Sequence, residues 1–356
     1  MTLPVPGSAR SFAGQLNDQW YAHSLRSINE LARTSFAEMG DRIGFLEEQQ
    51  FDTGFLLDDL SKRERYPFTS SRHSFPFLVQ VNPRRTARLG PAPGLIPPGV
   101  DPGGEDPLCR LNLRTIPVRS GFRQLHLTEA VNGRDYAVLM NPFRFHHGHT
   151  TLTSTVEGRD PQSWENNPDR LMRSLADLCE FSRRLPGWMA LFQMMGAGAS
   201  IDRLHFQAFR REPEPWPLEQ VFEEKFGGAA EACISDAREY PLVAYRLRGD
   251  LEEVVGKAAR LAEKWVSIAG PRATENFLAT SSGNSVVTLW FIPRDKDRRR
   301  APHRAGEIGT LEVFGEIIEE SETLDRSISF DSLWKMLEHA RSSYFVDQLV
   351  RVTSPC

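Results

Sequence analysis

Cysteine is scarce in this sequence, and its placement excludes a disulfide-stapled domain. The 356 residues include four cysteines, which are Cys109, Cys179, Cys233 and Cys356. No two of them form a CxxC pair, and their wide spacing does not resemble the dense framework of a small secreted domain. We therefore expect free or buried thiols.

Long apolar runs and a basic surplus are also missing. No apolar stretch approaches the roughly 18 residues that span a bilayer, and MTLPVPGSARSFAGQLND at the N-terminus lacks the apolar segment of a signal peptide. Lys and Arg total 43 against 47 Asp and Glu, for a net charge of −4. A dedicated nucleic-acid binder normally carries a basic excess. The sequence predicts a cytoplasmic protein with no membrane and no nucleic-acid partner.

The spacing of apolar residues predicts an α+β chain. Apolar positions at helical spacing predict a helix over 14–39, and FPFLVQVN predicts a strand at 75–82 within a strand-rich stretch. The Pro- and Gly-dense residues 89–107 predict a long loop. Later in the first half, DYAVLM and TTLTST predict the two strands of a hairpin, and WMALFQMM and RLHFQAF predict two further strands. Between these pairs a helix is predicted from the cap Asn167 to Pro186-Gly187. Its apolar face carries Leu171, Met172, Leu175 and Leu178.

The second half of the sequence repeats this plan weakly. PLVAYRL predicts a strand, Asp250 and Glu253 form a capping-box pattern ahead of a helix, and 275–294 predict a hairpin that turns at Ser282-Gly283-Asn284. GTLEVFGEIIEESE and residues 330–350 are helical or mixed. We interpret the chain as an N-terminal extension over 1–107 and two related α+β units over 108–230 and 231–356.

One stretch, GAGASIDRLHFQ, carries the most chemical information. Side chains two apart on a strand share a face, so Arg203, His205 and Gln207 are predicted to point one way while Leu204 and Phe206 enter a core. A cation, a base and an amide on one face suit a phosphate. Glycine lets the backbone approach a ligand, successive N–H groups of such a turn can bind an anion, and Ser200 adds a hydroxyl. The alternative is a tight hairpin with a partly exposed histidine.

A second histidine cluster lies in NPFRFHHGH. His146 and His147 are adjacent and would point apart on an extended chain, and no carboxylate or thiol lies nearby in sequence, so we predict no metal site. A more economical hypothesis is that His149 packs beneath His205 and orients it through a hydrogen bond.

These two segments together resemble the histidine-triad superfamily, specifically its GDP-hexose phosphorylases. NPFRFHHGHTTL resembles the family's Asn…Gly-His strand entry, and GAGASIDRLHFQAFRREPEPWPLEQ resembles its turn, histidine strand and Pro-Leu-Glu exit. FLVQVNPRR at 77–85 and NFLATSSGNSVVTLWFIPR at 276–294 carry the remainder. The resemblance implies a histidine-triad-like (HIT-like) fold, a duplicated unit of antiparallel sheet and packed helices with a degenerate second half.

The resemblance also implies an activity. In this family a histidine attacks the phosphorus of a nucleotide sugar, and inorganic phosphate resolves the covalent nucleotidyl-histidine without a metal or cofactor. If these roles are carried over, His205 is the nucleophile and His149 supports the site. Phosphate is bound by Gln207, Gly198, Ser200 and Arg203, and Asn141 lies near the ribose. Partners are then a nucleotide-sugar or other nucleotide and phosphate, with a homodimer as a further expectation by analogy.

One departure from the family separates the hypotheses. The family reads Asn-His-Leu-His-Phe-Gln, whereas this chain has Asp202-Arg203 before Leu204. Arginine is always charged and cannot act as a neutral acceptor. Besides a GDP-hexose phosphorylase, the alternatives are a dinucleoside polyphosphate (Ap4A-type) phosphorylase or hydrolase, an enzyme acting on another nucleotide conjugate, and a non-catalytic nucleotide-binding protein. Arg84, Arg85, Arg294 and Lys296 are predicted at the pocket rim or as solvated charges.

Overall fold

The protein is described by a computed structural model over most of its length. The described residues are 18–52, 56, 60–83, 125–156, 160–164, 167–234, 236, 238–283, 285–302, 306–319, 321, 323–341 and 347–350. The predicted loop at 89–107, Arg84, Arg85, Cys109, Cys356 and the start of the predicted first helix lie outside these residues.

The described helices and strands are interleaved along the chain. The helices are α1 (Asp18–Ser35), α2 (Met39–Asp52), α3 (Pro168–Arg184), α4 (Pro217–Phe226), α5 (Leu251–Ala269), α6 (Thr310–Val313) and α7 (Phe330–Ala340), with 3-10 turns at Gly270–Arg272 and Lys296–Arg298. The strands are β1 (Glu64–Ser70), β2 (His73–Val81), β3 (Leu127–Val131), β4 (Arg134–Met140), β5 (Thr150–Ser154), β6 (Trp188–Gln193), β7 (His205–Arg210), β8 (Glu231–Ile234), β9 (Ala244–Gly249), β10 (Ala273–Ser281), β11 (Val287–Asp295) and β12 (Glu316–Glu319).

A nine-stranded antiparallel sheet dominates the described part of the chain and records a duplication. Its order is β3-β4-β5-β7-β6-β10-β11-β9-β8. The first unit runs β4, β5, α3, β6, β7 along the chain and is ordered 4-5-7-6 in the sheet. The second runs β8, β9, α5, β10, β11 and is ordered 8-9-11-10. The two units meet where β6 pairs antiparallel with β10, so the predicted duplicated α+β unit is confirmed.

Each face of this sheet is covered by a different set of elements. Helices α1, α2, α3 and α5 cover one face, where Leu175 of α3 lies in the same hydrophobic cluster as Phe206 and Phe291 of the sheet. A smaller sheet of order β1-β2-β12 covers the other face together with α4, α6 and α7. In the smaller sheet β12 runs parallel to β2. This second cover brings residues from both ends of the sequence over the face that carries His205.

Local signals fix the two long central helices. The side chain of Asn167 accepts a hydrogen bond from the backbone N–H of Arg170, and Pro168 follows at the first helical position. Asp250 accepts likewise from the N–H of Glu253. Both predicted helices are therefore confirmed, although Met172, predicted on the apolar face of α3, is 44% exposed. Met172 is adjacent to the buried Leu171 and so lies about 100° away from it around the helix.

The N-terminal segment differs from its prediction. The expected helix over 14–39 ends at Ser35, and the following residues form α2 rather than strands. The hydroxyl of Thr34 donates to the carbonyls of Glu30 and Leu31, and such side-chain bonds compete with continued helix. Helix α2 buries Met39, Ile43 and Leu46 at helical spacing, a pattern that the prediction missed. No helix among the described residues is long and apolar enough to cross a membrane.

Candidate active site

His205 is the first residue of β7 and lies in a polar row across the large sheet. It pairs with Thr153 of β5. On its other side β7 pairs antiparallel with β6, where Leu191 is opposite Gln207. Continuing this register by two residues places Gln193 opposite His205. Gln193 in turn pairs with Asn276 of β10. Directly paired residues share a face, so His205, Gln193 and Asn276 line one face of adjacent strands.

The hydrogen bonding of His205 selects one tautomer. Its Nδ1 lies 2.6 Å from the carbonyl oxygen of Arg203, which can only accept, so Nδ1 carries the proton. Burial lowers the pKa of His205, while the bond to Arg203 acts in the opposite direction. The neutral ring therefore keeps a lone pair on Nε2. No described residue hydrogen-bonds that atom, as a nucleophile requires.

The backbone of His205 is held by the side chain of Gln162. Gln162 Oε1 accepts from the N–H of His205 at 2.7 Å. Its Nε2 donates to the carbonyls of His205 at 2.9 Å and of Gln193 at 2.7 Å. Gln162 is 1% exposed, so its amide continues the β6–β7 ladder at the point where the strands separate. This clamp fixes the direction in which His205 leaves the sheet.

Gln207 and His149 form a second polar pair on the same face. Nε2 of His149 lies 3.0 Å from Oε1 of Gln207. If that oxygen accepts from His149, the amide nitrogen of Gln207 is turned away, and it has no partner among the described residues. Gln207 is partly exposed. It can therefore offer two N–H donors to a ligand beside His205.

The hypothesis that His149 hydrogen-bonds His205 is wrong. Thr151 pairs with Gln207 and Thr153 pairs with His205, so His149 lies four residues from the cross-strand partner of His205. That separation is roughly 13 Å along a strand. His149 therefore contacts Gln207 rather than His205. Its ring packs on Phe145 at 3.8 Å between centroids.

Asn141 stands at the entrance of the same turn. Its Oδ1 accepts from the N–H of Phe143 at 2.9 Å, and its Nδ2 lies 3.4 Å from Nε2 of His149. The backbone of Asn141 also donates to the carbonyl of His149. The structure thus brings Asn141, His149 and Gln207 together at one end of the face.

The GAGAS turn folds back over Gln193. Gly196 and Gly198 have φ values of +85° and +112°, which disfavour a residue with a side chain. A Cβ on Gly198 would lie 2.8 Å from Cα of Gly309 and would also meet Oε1 of Gln193; one on Gly196 would lie 2.9 Å from Cγ of Lys296. The glycines are thus needed first for packing against the second half of the chain.

Several donors of this region have no protein partner among the described residues. They are the backbone N–H of Gly198, both donors of the exposed Ser200, and the side-chain nitrogen of Gln193. The N–H of Thr310 donates to Oε1 of Gln193 at 3.0 Å, so the amide nitrogen of Gln193 faces the other way. Gln193 lies opposite His205 in the sheet and beneath Gly198, and a set of free donors in such a region is suited to bind an anion.

Arg203 lies before β7 rather than within it, and its side chain is buried. Nη2 donates to the carbonyl of Ser154 at 3.1 Å and to that of Val156. The guanidinium thus fastens the end of β5. Its contact with a phosphate, predicted from the sequence, stays a prediction, whereas the backbone carbonyl of residue 203 directly orients His205.

His146 of the histidine cluster belongs to a buried ionic network. His146 lies between Glu212, 3.0 Å from Nδ1, and Glu316, 3.2 Å from Nε2. Glu316 also accepts two bonds from Arg65 and one from Trp216. Burial raises the pKa of Glu316, but His146, Arg65 and a hydrogen bond from Gln80 hold it at about 2. The network ties β12 to the turn that precedes His149.

The charged run after β11 divides into two environments. Arg294 is fully buried and donates through Nη1 to Asn276 and to the carbonyl of Ile308, which differs from its predicted place at a pocket rim. Lys296 is exposed and packs its stem against Gly196. Arg294 is therefore linked to the GAGAS turn through Asn276, which bonds the carbonyl of Ala197.

Sequence reasoning missed three residues that build the site: Gln162, Gln193 and Asn276. Gln193 lies at the end of WMALFQMM in phase with Leu191, which could have placed it on the face of His205. Gln162 offers no such signal because it lies in an irregular segment 43 positions from His205. Trp164 of that segment donates to the buried Glu275 at 2.6 Å, and burial raises the pKa of Glu275 to about 7.

Comparison with known proteins supports the fold. Neither a protein-family model nor a curated protein sequence matches this chain. Among solved structures, yeast Ap4A phosphorylase Apa2 matches with a TM-score of 0.56 and 14% identity over 84% of this chain and 92% of that one. Its complex with Ap4A gives 0.53 and 15% over 86% and 93%. Its complex with AMP gives 0.54 and 16% over 84% and 92%. The predicted α+β HIT-like fold is confirmed by this similarity.

Proposed function

We propose that this protein is a nucleotidyltransferase that cleaves a nucleotide substrate through a covalent nucleotidyl-histidine on His205 and transfers the nucleotidyl group to inorganic phosphate. One observation carries the proposal. Nδ1 of His205 is committed to the carbonyl of Arg203, which leaves a lone pair on Nε2 of the neutral ring, and Gln193, whose amide nitrogen has no partner among the described residues, lies opposite His205 in the sheet.

Two displacements at one phosphorus atom complete the reaction. In the first, the Nε2 lone pair attacks the α-phosphorus, the P–O bond to the rest of the substrate breaks, and that oxygen leaves with the bond electrons. In the second, an oxygen of inorganic phosphate attacks the same phosphorus, and the P–N bond breaks. A nucleoside diphosphate is released and His205 regains its lone pair. Covalent catalysis thus divides one difficult displacement into two easier ones.

The surrounding donors have separate roles in this proposal. The N–H of Gly198, Ser200, and the amide nitrogens of Gln193 and Gln207 stabilise charge on the equatorial phosphoryl oxygens. His149 turns the Gln207 amide so that its nitrogen faces the phosphate. Asn141 contacts the ribose. The chain's own donors and the histidine suffice for this scheme, without a metal or cofactor.

Two substrate classes fit the same first step. From a GDP-hexose the leaving group is hexose 1-phosphate and the final product GDP; the motif resemblance around GAGASIDRLHFQ favours this class. From a dinucleoside tetraphosphate such as Ap4A the leaving group is a nucleoside triphosphate. The structural similarity to yeast Ap4A phosphorylase Apa2 favours this second class.

The arginine at position 203 is compatible with catalysis. The tautomer of His205 depends on the backbone carbonyl of residue 203, which is present whichever side chain stands at that position. The side chain of Arg203 binds carbonyls at the end of β5, so its replacement of a family histidine leaves the nucleophile in place.

Phosphate-dependent turnover tests the proposal. The protein is incubated with GDP-glucose, GDP-galactose or Ap4A, with and without inorganic phosphate, and nucleoside diphosphate is quantified. We expect product with at least one substrate only when phosphate is present. His205→Ala should reduce turnover by about 10³-fold or more, because no covalent intermediate can form.

A distant histidine provides the matched control. His339 lies on α7, and its side chain takes no part in the hydrogen bonds described for the site, so His339→Ala should retain turnover. Absence of turnover across the panel, or equal turnover in the wild type and His205→Ala, would contradict the proposal. Nucleotide binding without turnover would favour a non-catalytic nucleotide-binding protein.

A further inference from the structure

Asn276 of the second half holds the GAGAS turn of the first half. Its Nδ2 donates to the carbonyl oxygen of Ala197 at 2.6 Å and to the hydroxyl of Thr310 at 3.0 Å. Asn276 is fully buried, and a short hydrogen bond in a buried environment resists rotation of the peptide that it grips.

The orientation of the Asn276 amide is set by Arg294. Nη1 of Arg294 lies 3.0 Å from Oδ1 of Asn276. A guanidinium can only donate, so the amide oxygen must face Arg294 and the amide nitrogen must face Ala197. Arg294 is itself fully buried and bound to the carbonyl of Ile308 at 3.1 Å. The chain Arg294–Asn276–Ala197 therefore has one direction of donation.

This grip determines where the N–H of Gly198 points. In a planar trans peptide the carbonyl of one residue and the N–H of the next point in opposite directions. The Ala197 carbonyl faces Asn276 on β10, and the turn packs over Gln193 on β6. Strand β7 lies on the other side of β6. The N–H of Gly198 is thus directed away from β10, toward the β7 side where His205 lies.

We propose that Asn276, oriented by Arg294, is a positioning residue that aims the Gly198 N–H at the phosphoryl group beside His205. The inference rests on the proposed function and deepens it. It assigns a role in phosphate binding to the second half of the chain, which supplies no nucleophile.

The expected effect is selective for the phosphate. Removing an oxyanion donor from an enzyme costs about 10²- to 10³-fold in rate. A loosened peptide still points correctly part of the time, so we expect about a 10- to 100-fold loss of kcat/KM. The nucleoside portion of a ligand does not touch this peptide in the proposed arrangement, so its affinity should be unchanged.

Paired binding measurements test the role. Kd values for AMP and adenosine, and for GMP and guanosine, are measured on wild type, Asn276→Asp and Arg294→Lys. Aspartate accepts from Arg294 but, when ionised, cannot donate to Ala197, whereas lysine keeps the charge and loses the fixed fork. Both variants should lower the ratio of nucleotide to nucleoside affinity by about tenfold, with nucleoside affinity unchanged.

The control is another buried side-chain bond to a carbonyl. The hydroxyl of Tyr240 donates to the carbonyl of Val313 at 2.8 Å, outside the proposed site. Tyr240→Phe should alter thermal stability but not the affinity ratio. An unchanged ratio in folded Asn276→Asp and Arg294→Lys would overturn the inference, while phosphate-dependent turnover of the wild type would still support the proposed function.

A measurement on the unmutated protein covers the case in which the variants do not fold. With ¹⁵N-glycine labelling, the Gly198 amide resonance should shift on addition of AMP or GMP but not of the matching nucleoside. A Gly198 resonance that ignores the nucleotide, while the protein binds it, would overturn the inference. If the protein binds no nucleotide, the proposed function fails and the inference fails with it.

Discussion

The two halves of the large sheet share one topology but present opposite chemistry on the same face. In the first half this face carries His205, Gln207 and Gln193. In the second half the corresponding strand β11 presents Trp290 and Ile292, packed into a hydrophobic cluster. The Trp290 ring meets Phe222 of α4 at 4.6 Å between centroids. Duplication thus preserved the backbone while one copy became a core.

The connection between the second strand and the helix of each unit also differs. Residues 155–167 connect β5 to α3, whereas Asp250 alone connects β9 to α5. The longer connection contains Gln162, which clamps the backbone of His205. The second unit has no such segment to supply an equivalent clamp. In the first unit the backbone of His205 therefore depends on a side chain from outside the repeated elements.

Two buried polar residues of the second half lie beside the site. Asn276 and Arg294 lie on the face of β10 and β11 close to the GAGAS turn, while Leu278 and Trp290 further along are apolar. Burying a polar side chain without a partner is costly. Their retention next to the turn indicates that the second half supports the first rather than duplicating its chemistry.

Trp290→His gives the largest expected effect and tests whether residue identity alone separates the halves. Trp290 is 2% exposed, and loss of a buried aromatic leaves a cavity worth about 3–5 kcal/mol. We expect a loss of about 3 kcal/mol in the free energy of unfolding and no second labelled histidine. Chemical denaturation and peptide mapping measure these. Labelling at position 290 would show that the polar surroundings are not required.

Gln162→Ala tests the contribution of the clamp. It removes the bonds to the backbone of His205 and to the carbonyl of Gln193. We expect kcat/KM to fall about 10- to 100-fold, since small displacements of a catalytic group are costly. Steady-state kinetics with the substrate identified from the panel measures this.

Gln162→Glu distinguishes positioning from packing. When ionised, glutamate keeps the volume but cannot donate to the two carbonyls, so it should not restore the rate. Full activity in Gln162→Glu would show that the two bonds to the carbonyls are dispensable.

The smallest expected effect is the change in kcat/KM with pH. Burial lowers the pKa of His205 below 6.5, and in the proposed mechanism the neutral ring is the nucleophile. Activity should therefore be full above that pKa and fall as the pH drops through it, with an acid limb below pH 6.5. In Gln162→Ala greater access of water should move the limb toward 6.5. An acid limb above 6.5 in the wild type would contradict a desolvated, neutral histidine.

Elements with regular patterns could be predicted from the sequence. The hairpin of β10 and β11 follows from alternating apolar residues around Gly283, and α3 follows from the Asn167-Pro168 cap. Helix α2 was missed because the residues after the first predicted helix were interpreted as a strand-rich stretch, although Ile43 and Leu46 are at helical spacing. Strand β7 was predicted two residues early, since Arg203 continues the alternation although its side chain serves another strand.

The candidate site could be predicted only in part. His205 and Gln207 share a face because of strand periodicity, and this relation is local in sequence. The partner of His149 depends on the register between β5 and β7, which hydropathy does not determine to within two residues. Gln162 and Asn276 act through single hydrogen bonds formed by tertiary packing, so their roles could not be read from composition or spacing.

The most direct test of the account is the location of a covalent adduct. The wild-type protein is mixed with substrate without inorganic phosphate, quenched in alkali, which preserves a phosphoramidate, and digested for peptide mass mapping. The account predicts one added nucleoside monophosphate on Nε2 of His205, lost on addition of phosphate to the unquenched protein. An adduct on another residue, or turnover with no adduct at His205, would contradict it.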